Sequence, residues 1–225
     1  MLNFLGVGAA YNYKTNNNCA YFVQDDNLYL FDCGEKICDL ILKEKLLEKV
    51  KKVYCFITHL HSDHVASLEP LMYYLHYINY KEICVFYPYP KRLKTLLELM
   101  GLDFDFEIYS DYTLVKEIKI EPVRQKHIFG SFGYFVYTSD KNFFYSGDTS
   151  EVNKRAVAEL KESKIDYIYH EVTISPNARI HTHISKLEKL IPLELRNRVF
   201  LMHLSNKKVA KVGAEKGFSI CTETK

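Results

Sequence analysis

The first third of the chain contains short apolar runs, bounded by polar turn-forming clusters, that are typical of β-strands. Three short runs of this kind are separated by turn-forming clusters, which predicts strands over residues 3–8, 19–24 and 28–32. The turn around Asn27 predicts a hairpin between the last two runs. A different pattern follows, because apolar residues at 37, 40, 41, 47 and 50 predict one face of an amphipathic helix over residues 37–50.

The remaining patterns repeat this order of strands followed by alternating helices and strands. They predict strands over 53–57, 82–87, 114–122, 133–138, 142–145 and 167–172 and near Phe200 and Ser219, with helices over 67–78, 91–100 and 152–161 and after Ser185. Two β-sheets with helices on their outer faces satisfy this order, since each sheet needs both faces covered. No repeat or flexible linker interrupts it, so we expect an α/β fold in one domain over residues 1–225.

Composition narrows the class of protein. A chain of 225 residues with 48% hydrophobic residues and a formal net charge of +2 is typical of a globular protein, and the weak charge disfavours binding to extended nucleic acid. The N-terminal run reads as a strand and not as a signal peptide, and no apolar run is long enough to span a membrane. The six cysteines form no C-x-x-C pair, so we expect reduced thiols in a cytoplasmic protein.

The strongest chemical signal is the segment His59-Leu60-His61-Ser62-Asp63-His64, directly after an apolar strand. Residues two apart point the same way in an extended chain, so His59 and His61 can converge on one ion. A turn at Ser62 and Asp63 would direct Asp63 and His64 toward a second point nearby. Imidazole and carboxylate groups are ligands suited to zinc or a similar divalent ion.

Three further residues that can bind a metal lie at the ends of predicted β runs. They are His127 before Gly130-Ser131-Phe132-Gly133, Asp148 within Ser146-Gly147-Asp148-Thr149, and His203 before Leu204-Ser205. Together with the histidine-rich segment they supply two sets of three ligands and one shared carboxylate. The sequence therefore predicts a site for two metal ions.

This combination of H-x-H-x-D-H, a later histidine, S-G-D-T and a final histidine before serine resembles the metallo-β-lactamase superfamily, and within it the ribonuclease Z-like phosphodiesterase branch. The resemblance implies the αββα sandwich of that superfamily, with Asp32 supporting the histidine segment from behind. It also implies a first ion bound by His59, His61 and His127, and a second bound by Asp63, His64 and His203, with Asp148 bridging the two. The expected metal is zinc, with manganese as the alternative.

A second pair of segments resembles the phosphodiesterases in particular. Residues 170–173, H-E-V-T, resemble the branch's H-E-A-T segment, and residues 180–185 resemble its H-S-T segment. The capping box of Ser185 and Glu188 selects His183 as the proton donor, paired with Glu171, while Asp63 orients the attacking water. His181 is the alternative if the helix begins earlier.

The resemblance leaves the substrate open. Ribonuclease Z carries a tRNA-binding arm between its third histidine and its bridging aspartate, but here His127 and Asp148 are only 21 positions apart. This spacing favours a compact enzyme acting on a small nucleotide, similar to the phosphodiesterases that cleave 3′,5′-cyclic nucleotides, including those that phages use against cyclic-pyrimidine (Pycsar) defence. The alternatives are an armless tRNA 3′-processing endonuclease and another hydrolase of the superfamily. The family resemblance also implies a homodimer.

Overall fold

The chain forms two six-stranded mixed β-sheets, and a computed structural model describes residues 1–115 and 117–224. The first sheet contains, in spatial order, β1 (Asn3–Gly6), β2 (Cys19–Gln24), β3 (Asn27–Phe31), β4 (Lys52–Phe56), β5 (Glu82–Phe86) and β6 (Ile108–Tyr109). The second contains β7 (Lys119–Arg124), β8 (Phe132–Tyr137), β9 (Phe143–Tyr145), β10 (Tyr167–Glu171), β11 (Val199–Met202) and β12 (Ser219–Ile220). In each sheet the first three strands are antiparallel neighbours and the rest pair in parallel.

Seven α-helices accompany the sheets. They are α1 (Ile37–Lys43), α2 (Ser62–Val65), α3 (Leu68–Tyr74), α4 (Pro90–Met100), α5 (Lys154–Lys161), α6 (Ile184–Leu190) and α7 (Lys207–Glu215). Shorter helical turns cover Leu46–Lys49, Leu75–Asn79, Tyr112–Leu114 and Leu193–Arg198. Within the described residues no helix is long and apolar enough to cross a membrane.

The alternation along the strands explains the layers. In β3, Leu28 and Leu30 pack in the cluster shared with α1, α3 and α4, whereas Tyr29 and Phe31 belong to the cluster between the sheets. The Phe31 ring lies 5.1 Å from the ring of Tyr145 in β9, so the two sheets pack through aromatic side chains. Burial of both faces stabilises the sandwich that the sequence predicts.

Two sequence predictions about elements require correction, and one helix was missed. The helix expected over 37–50 ends at Lys43, because Lys45 adopts a left-handed conformation with φ of 55°. The strand expected over 114–122 begins only at Lys119, and Lys116 lies outside the described residues. Helix α7, which begins after the capping residue Asn206, was not predicted.

A buried histidine that is not among the predicted metal ligands makes stability depend on pH. The His170 side chain is 1% exposed, and burial lowers its pKa to about 4. Because the unfolded chain binds this proton more tightly, the stabilisation is complete above the unfolded pKa of about 6.5 and is lost as the pH falls toward 4.

We therefore expect His170 alone to remove about 2 kcal/mol from the free energy of unfolding between about pH 7.5 and pH 5. Urea unfolding of the metal-free protein measures this loss, with His170→Asn as the control because asparagine keeps a donor for the Glu171 carbonyl. All other histidines are common to both proteins. Equal pH slopes in the two proteins would contradict the prediction.

Candidate metal centre

The predicted ligands converge at one edge of the sandwich because each follows a strand end. His59, His61, Asp63 and His64 follow β4, His127 follows β7, Asp148 follows β9 and His203 follows β11. The carboxyl ends of neighbouring parallel strands lie at the same edge of a sheet, which brings residues distant in sequence together. Sharp turns complete the placement, since Gly147 and His203 have positive φ values of 55° and 54°.

Three histidines form the first set of ligand atoms. The Nδ1 atom of His61 lies 3.0 Å from Nε2 of His59 and 3.2 Å from Nε2 of His127. Three neutral imidazole nitrogens this close together suit one divalent ion of the zinc type.

The second set contains Asp63, His64 and His203. The Asp63 Oδ2 atom lies 3.3 Å from Nε2 of His64 and 3.2 Å from Nε2 of His203. All three residues are buried, which leaves few competing water contacts for their ligand atoms.

The Asp148 carboxylate lies between the two sets. Its Oδ2 atom is 3.9 Å from Nε2 of His59 and 3.7 Å from Nε2 of His127, while its Oδ1 atom is 3.6 Å from Nε2 of His64 and 3.5 Å from Nε2 of His203. Oδ1 of Asp148 and Nε2 of His64 are buried atoms without a hydrogen-bond partner in the described part of the chain. Buried polar atoms normally have partners, so these two orphaned atoms, which lie 3.6 Å apart beside the second set, fit a cation bound there.

Hydrogen bonds behind the ligands orient the imidazole rings. The Asp32 carboxylate accepts from Nδ1 of His64 at 2.8 Å and from the Thr58 backbone N–H at 2.8 Å. The Nδ1 atom of His127 donates to the Ile180 carbonyl oxygen at 2.9 Å. Each bond holds the proton on Nδ1 and leaves Nε2 available as a ligand atom.

The electrostatics at Asp148 and His59 favour the ionisation states that metal binding needs, whereas at His64 the Asp148 and Asp32 carboxylates outweigh burial and raise the pKa. Burial raises the pKa of Asp148, but His203 and His64 outweigh it and hold that pKa well below its usual range. Burial and the neighbouring His64 lower the pKa of His59. Anionic carboxylates and neutral imidazoles are the forms that bind divalent ions.

The Glu171–His183 pairing predicted from the sequence is wrong. The Oε1 atom of Glu171 instead lies 3.4 Å from Nδ1 of His181, which is also 3.9 Å from Oδ2 of Asp148. Burial opposes protonation of His181, but Glu171 and Asp148 outweigh it and raise its pKa. His181, and not His183, is thus the histidine that lies beside Glu171 and the predicted ligand Asp148.

His183 has a different position, because helix α6 begins at Ile184 and not after Ser185. His183 is the residue that caps this helix, and its Nδ1 atom accepts from the Ser185 backbone N–H at 3.3 Å. The sequence signal that would have selected His181 is this earlier helix start. Glu171 is held by the backbone N–H groups of Thr149 and Thr182, which donate to Oε1 at 3.1 and 2.9 Å.

The site opens into a cavity of about 630 Å³, within the range of pockets that bind small molecules. Its lining includes His61, Asp63, His127, Asp148, Glu171, His181 and His203, together with residues 9–12 of the loop between β1 and β2. His183 is not among the lining residues. His181 therefore lines the same cavity as residues of both predicted ligand sets.

The backbone of Gly34 packs closely against the backbone of Asp63 in the histidine segment. A Cβ atom on Gly34 would lie 1.9 Å from the carbonyl oxygen of Asp63, a distance at which the backbone must move. We expect Gly34→Ala to cost about 1–3 kcal/mol in the free energy of unfolding and to weaken metal binding, because the shift displaces Asp63 and His64.

Urea unfolding and metal titration measure these two effects. Gly101→Ala is the control, since a Cβ atom there has no neighbour within 4 Å and only its positive φ of 112° is strained. Gly101→Ala should lose stability without losing metal. Unchanged metal affinity in Gly34→Ala would contradict the prediction.

Comparison with known proteins identifies the family of the chain and agrees with its fold. The family model described as anti-Pycsar protein Apyc1 matches residues 1–224. An anti-Pycsar protein Apyc1 from Paenibacillus sp. (strain J14) is 30% identical over 224 residues, covering 91% of this chain and 89% of that protein.

Two solved structures establish the fold as that of the metallo-β-lactamases. The metallo-β-lactamase fold protein YhfI from Bacillus subtilis superimposes with a TM-score of 0.72 at 13% identity, covering 100% of this chain and 95% of that chain. The short form of human tRNase Z superimposes with a TM-score of 0.68 at 21% identity, covering 98% of this chain and 95% of that chain.

The αββα sandwich predicted from the sequence is confirmed. The carboxylate and histidine clusters at one sheet edge are groups that could hold divalent metal ions. Since the family model spans residues 1–224, the chain belongs to the anti-Pycsar protein Apyc1 family.

Proposed function

We propose that this protein hydrolyses 3′,5′-cyclic nucleotides, cyclic pyrimidine mononucleotides among them, at a site that binds two divalent ions. The observation that carries the proposal is the Asp148 carboxylate, whose two oxygens each face a different ligand set in one cavity. Membership of a family named for its action against Pycsar supports the choice of cyclic pyrimidine nucleotides.

The donor atoms fit zinc, with manganese as the alternative. His59, His61 and His127 would hold one ion, Asp63, His64 and His203 the other, and Asp148 both. Ions bound there would lower the pKa of water and offset the charge that develops on the phosphate. Nitrogen-rich sets with shared carboxylates are typical of zinc sites, although manganese accepts the same oxygens.

Residues of the chain orient the attacking water and supply a proton to the leaving oxygen. Asp63 accepts a hydrogen bond from the attacking water and so directs its lone pair toward phosphorus. As the new bond to phosphorus forms, the water loses one proton to bulk solvent, one ring P–O bond breaks, and the leaving oxygen needs a proton. His181 donates that proton, and a positioned donor of this kind contributes about 10²–10⁴-fold to the rate.

Glu171 keeps His181 in the state this step requires. Its carboxylate lies 3.4 Å from Nδ1 of His181 and is buried, so their attraction is weakly screened. Nδ1 is turned toward carboxylates, and Nε2 is then the atom that donates to the leaving oxygen. Two backbone N–H groups hold Glu171 in turn, so the pair has little freedom to move.

The architecture supports a small substrate. Strands β8 and β9 and their connection occupy most of the interval between His127 and Asp148, where ribonuclease Z carries its arm. The cavity of about 630 Å³ accommodates a mononucleotide. Both features favour a cyclic mononucleotide over a folded RNA.

We also propose that the protein works as a homodimer in the cytoplasm, which is the host cytoplasm if a phage encodes it. All six cysteines are buried and free, as expected of a protein from a reducing compartment. Light scattering of the metal-loaded protein tests the assembly, and a mass of one chain would contradict the dimer.

The experiment that tests the function is a substrate panel. Metal-loaded protein is incubated with the 3′,5′-cyclic mononucleotides of cytidine, uridine, adenosine and guanosine and, separately, with a 3′-extended tRNA precursor. We expect cyclic nucleotides to be hydrolysed while the tRNA stays intact. Cleavage of the tRNA alone would overturn the proposal in favour of tRNA 3′-processing.

A further inference from the structure

The buried side chain of Asn18, at the start of β2, connects the first sheet to the second. Its Nδ2 atom donates to the hydroxyl of Tyr145 at 2.7 Å and lies 3.6 Å from Sδ of Met202. Its Oδ1 atom accepts from the backbone N–H of His203 at 3.2 Å. With 1% exposure, Asn18 has its amide fully committed to groups of the opposite sheet.

The bond to His203 comes at a strained point of the backbone. His203 has a φ of 54°, a left-handed conformation that disfavours residues other than glycine by about 1–2 kcal/mol. Strand β11 ends at Met202, so the His203 N–H leaves the ladder and needs another acceptor. Asn18 Oδ1 is that acceptor.

Neighbouring groups of the β1–β2 loop hold the next residue in the same way. The Leu204 N–H donates to the Val7 carbonyl at 2.7 Å, and the Leu204 carbonyl accepts from Nδ2 of Asn12 at 2.8 Å. The turn at 203–204 is therefore fixed by the first sheet and its loop, although His203 belongs to the second sheet. Strained conformations persist where surrounding contacts over-determine them.

We propose that Asn18 is a positioning residue for His203, and through it for the ion site that also contains Asp63 and His64. From this turn the imidazole Nε2 of His203 lies 3.2 Å from Oδ2 of Asp63. In the described residues Asn18 makes no hydrogen bond to His59, His61 or His127, so its effect falls on one ion of the two. The inference rests on the two-ion site proposed above.

Metal stoichiometry of the Asn18→Ala protein tests the proposal. Metal-free protein is dialysed against buffered Zn²⁺, and bound zinc is counted at a free concentration that fills both sites of the unmodified protein. We expect two ions in the unmodified protein and one in Asn18→Ala, with affinity for the second ion lowered about 10–100-fold. With cyclic nucleotide as substrate, kcat should fall with the lost ion and recover at excess Zn²⁺.

A conservative variant and a matched control separate positioning from general instability. Asn18→Asp keeps an acceptor for the His203 N–H, and the Tyr145 hydroxyl can donate to its other oxygen, so the second ion should return. Asn142→Ala loses comparable bonds, from the Thr138 N–H at 3.1 Å and to the Lys164 carbonyl at 3.2 Å, at the opposite end of β9 from Asp148. It should keep both ions.

If Asn18→Ala does not fold, Tyr145→Phe removes the acceptor of Asn18 Nδ2 and should weaken the second ion in the same direction. Two ions bound with unchanged affinity in Asn18→Ala, or in Tyr145→Phe when it replaces that variant, would overturn the inference and leave the proposed function standing. Fewer than two ions in the unmodified protein would overturn the proposed function and this inference with it.

Discussion

Replacing Asp148 with alanine is expected to abolish phosphodiester hydrolysis and to reduce metal binding at both sites. The two oxygens of this carboxylate face both predicted ligand sets, at 3.5 to 3.9 Å from four of their imidazole nitrogens. Removing it also leaves those buried imidazoles without their shared negative charge. Metal-ion stabilisation of several kcal/mol corresponds to a loss on the order of 10³-fold or more in kcat.

Zinc content and kcat are measured together for Asp148→Ala. Asp140→Ala is the matched control, since Asp140 is exposed in the connection between β8 and β9 and should change neither quantity. An Asp148→Ala protein with two bound ions and near-normal kcat would show that Asp148 does not bridge the sites.

The second large effect distinguishes two histidines that lie two residues apart. We expect His181→Ala to lower kcat for cyclic nucleotides by about 10²–10⁴-fold, because the leaving alkoxide loses its proton donor. His183→Ala should change kcat only a few-fold, since His183 caps α6 and does not line the cavity. Loss of the cap should cost about 1 kcal/mol in the free energy of unfolding.

The choice of leaving group makes this test sharper. A nitrophenolate leaves without protonation, so His181→Ala should retain much more of its activity with bis(p-nitrophenyl) phosphate than with a cyclic nucleotide. His183→Ala should change kcat by the same small factor with both substrates. An equal deficit of His181→Ala on both substrates would mean that His181 acts on binding or on the metal ions and not on the leaving oxygen.

Much of the fold follows from local patterns. Strand β2 was predicted at its observed limits, because a short continuous run of apolar residues is flanked by turn-forming residues. The end of helix α1 at Lys43 was not predicted, because the apolar positions continue beyond it at Leu47 and Val50. A stripe records which face is buried and not whether the backbone between its members remains helical.

The candidate site, like the fold, was predicted from the sequence only in part. The predicted ligands meet because strand ends converge at one edge, and strand ends are visible in the sequence; their role as ligands stays a prediction. The pairing of Glu171 depends on where α6 begins, and Ser185 with Glu188 indicated a start later than the observed one. The link between Asn18 and His203 spans 185 positions, so no local pattern could reveal it.

The most direct test of a two-ion phosphodiesterase is to titrate metal-free protein with Zn²⁺ while measuring hydrolysis of 3′,5′-cyclic CMP. Activity should be negligible without metal and should reach its plateau at two equivalents, because both ligand sets must be filled. Full activity at one equivalent, or undiminished hydrolysis in the presence of a strong chelator, would contradict the account.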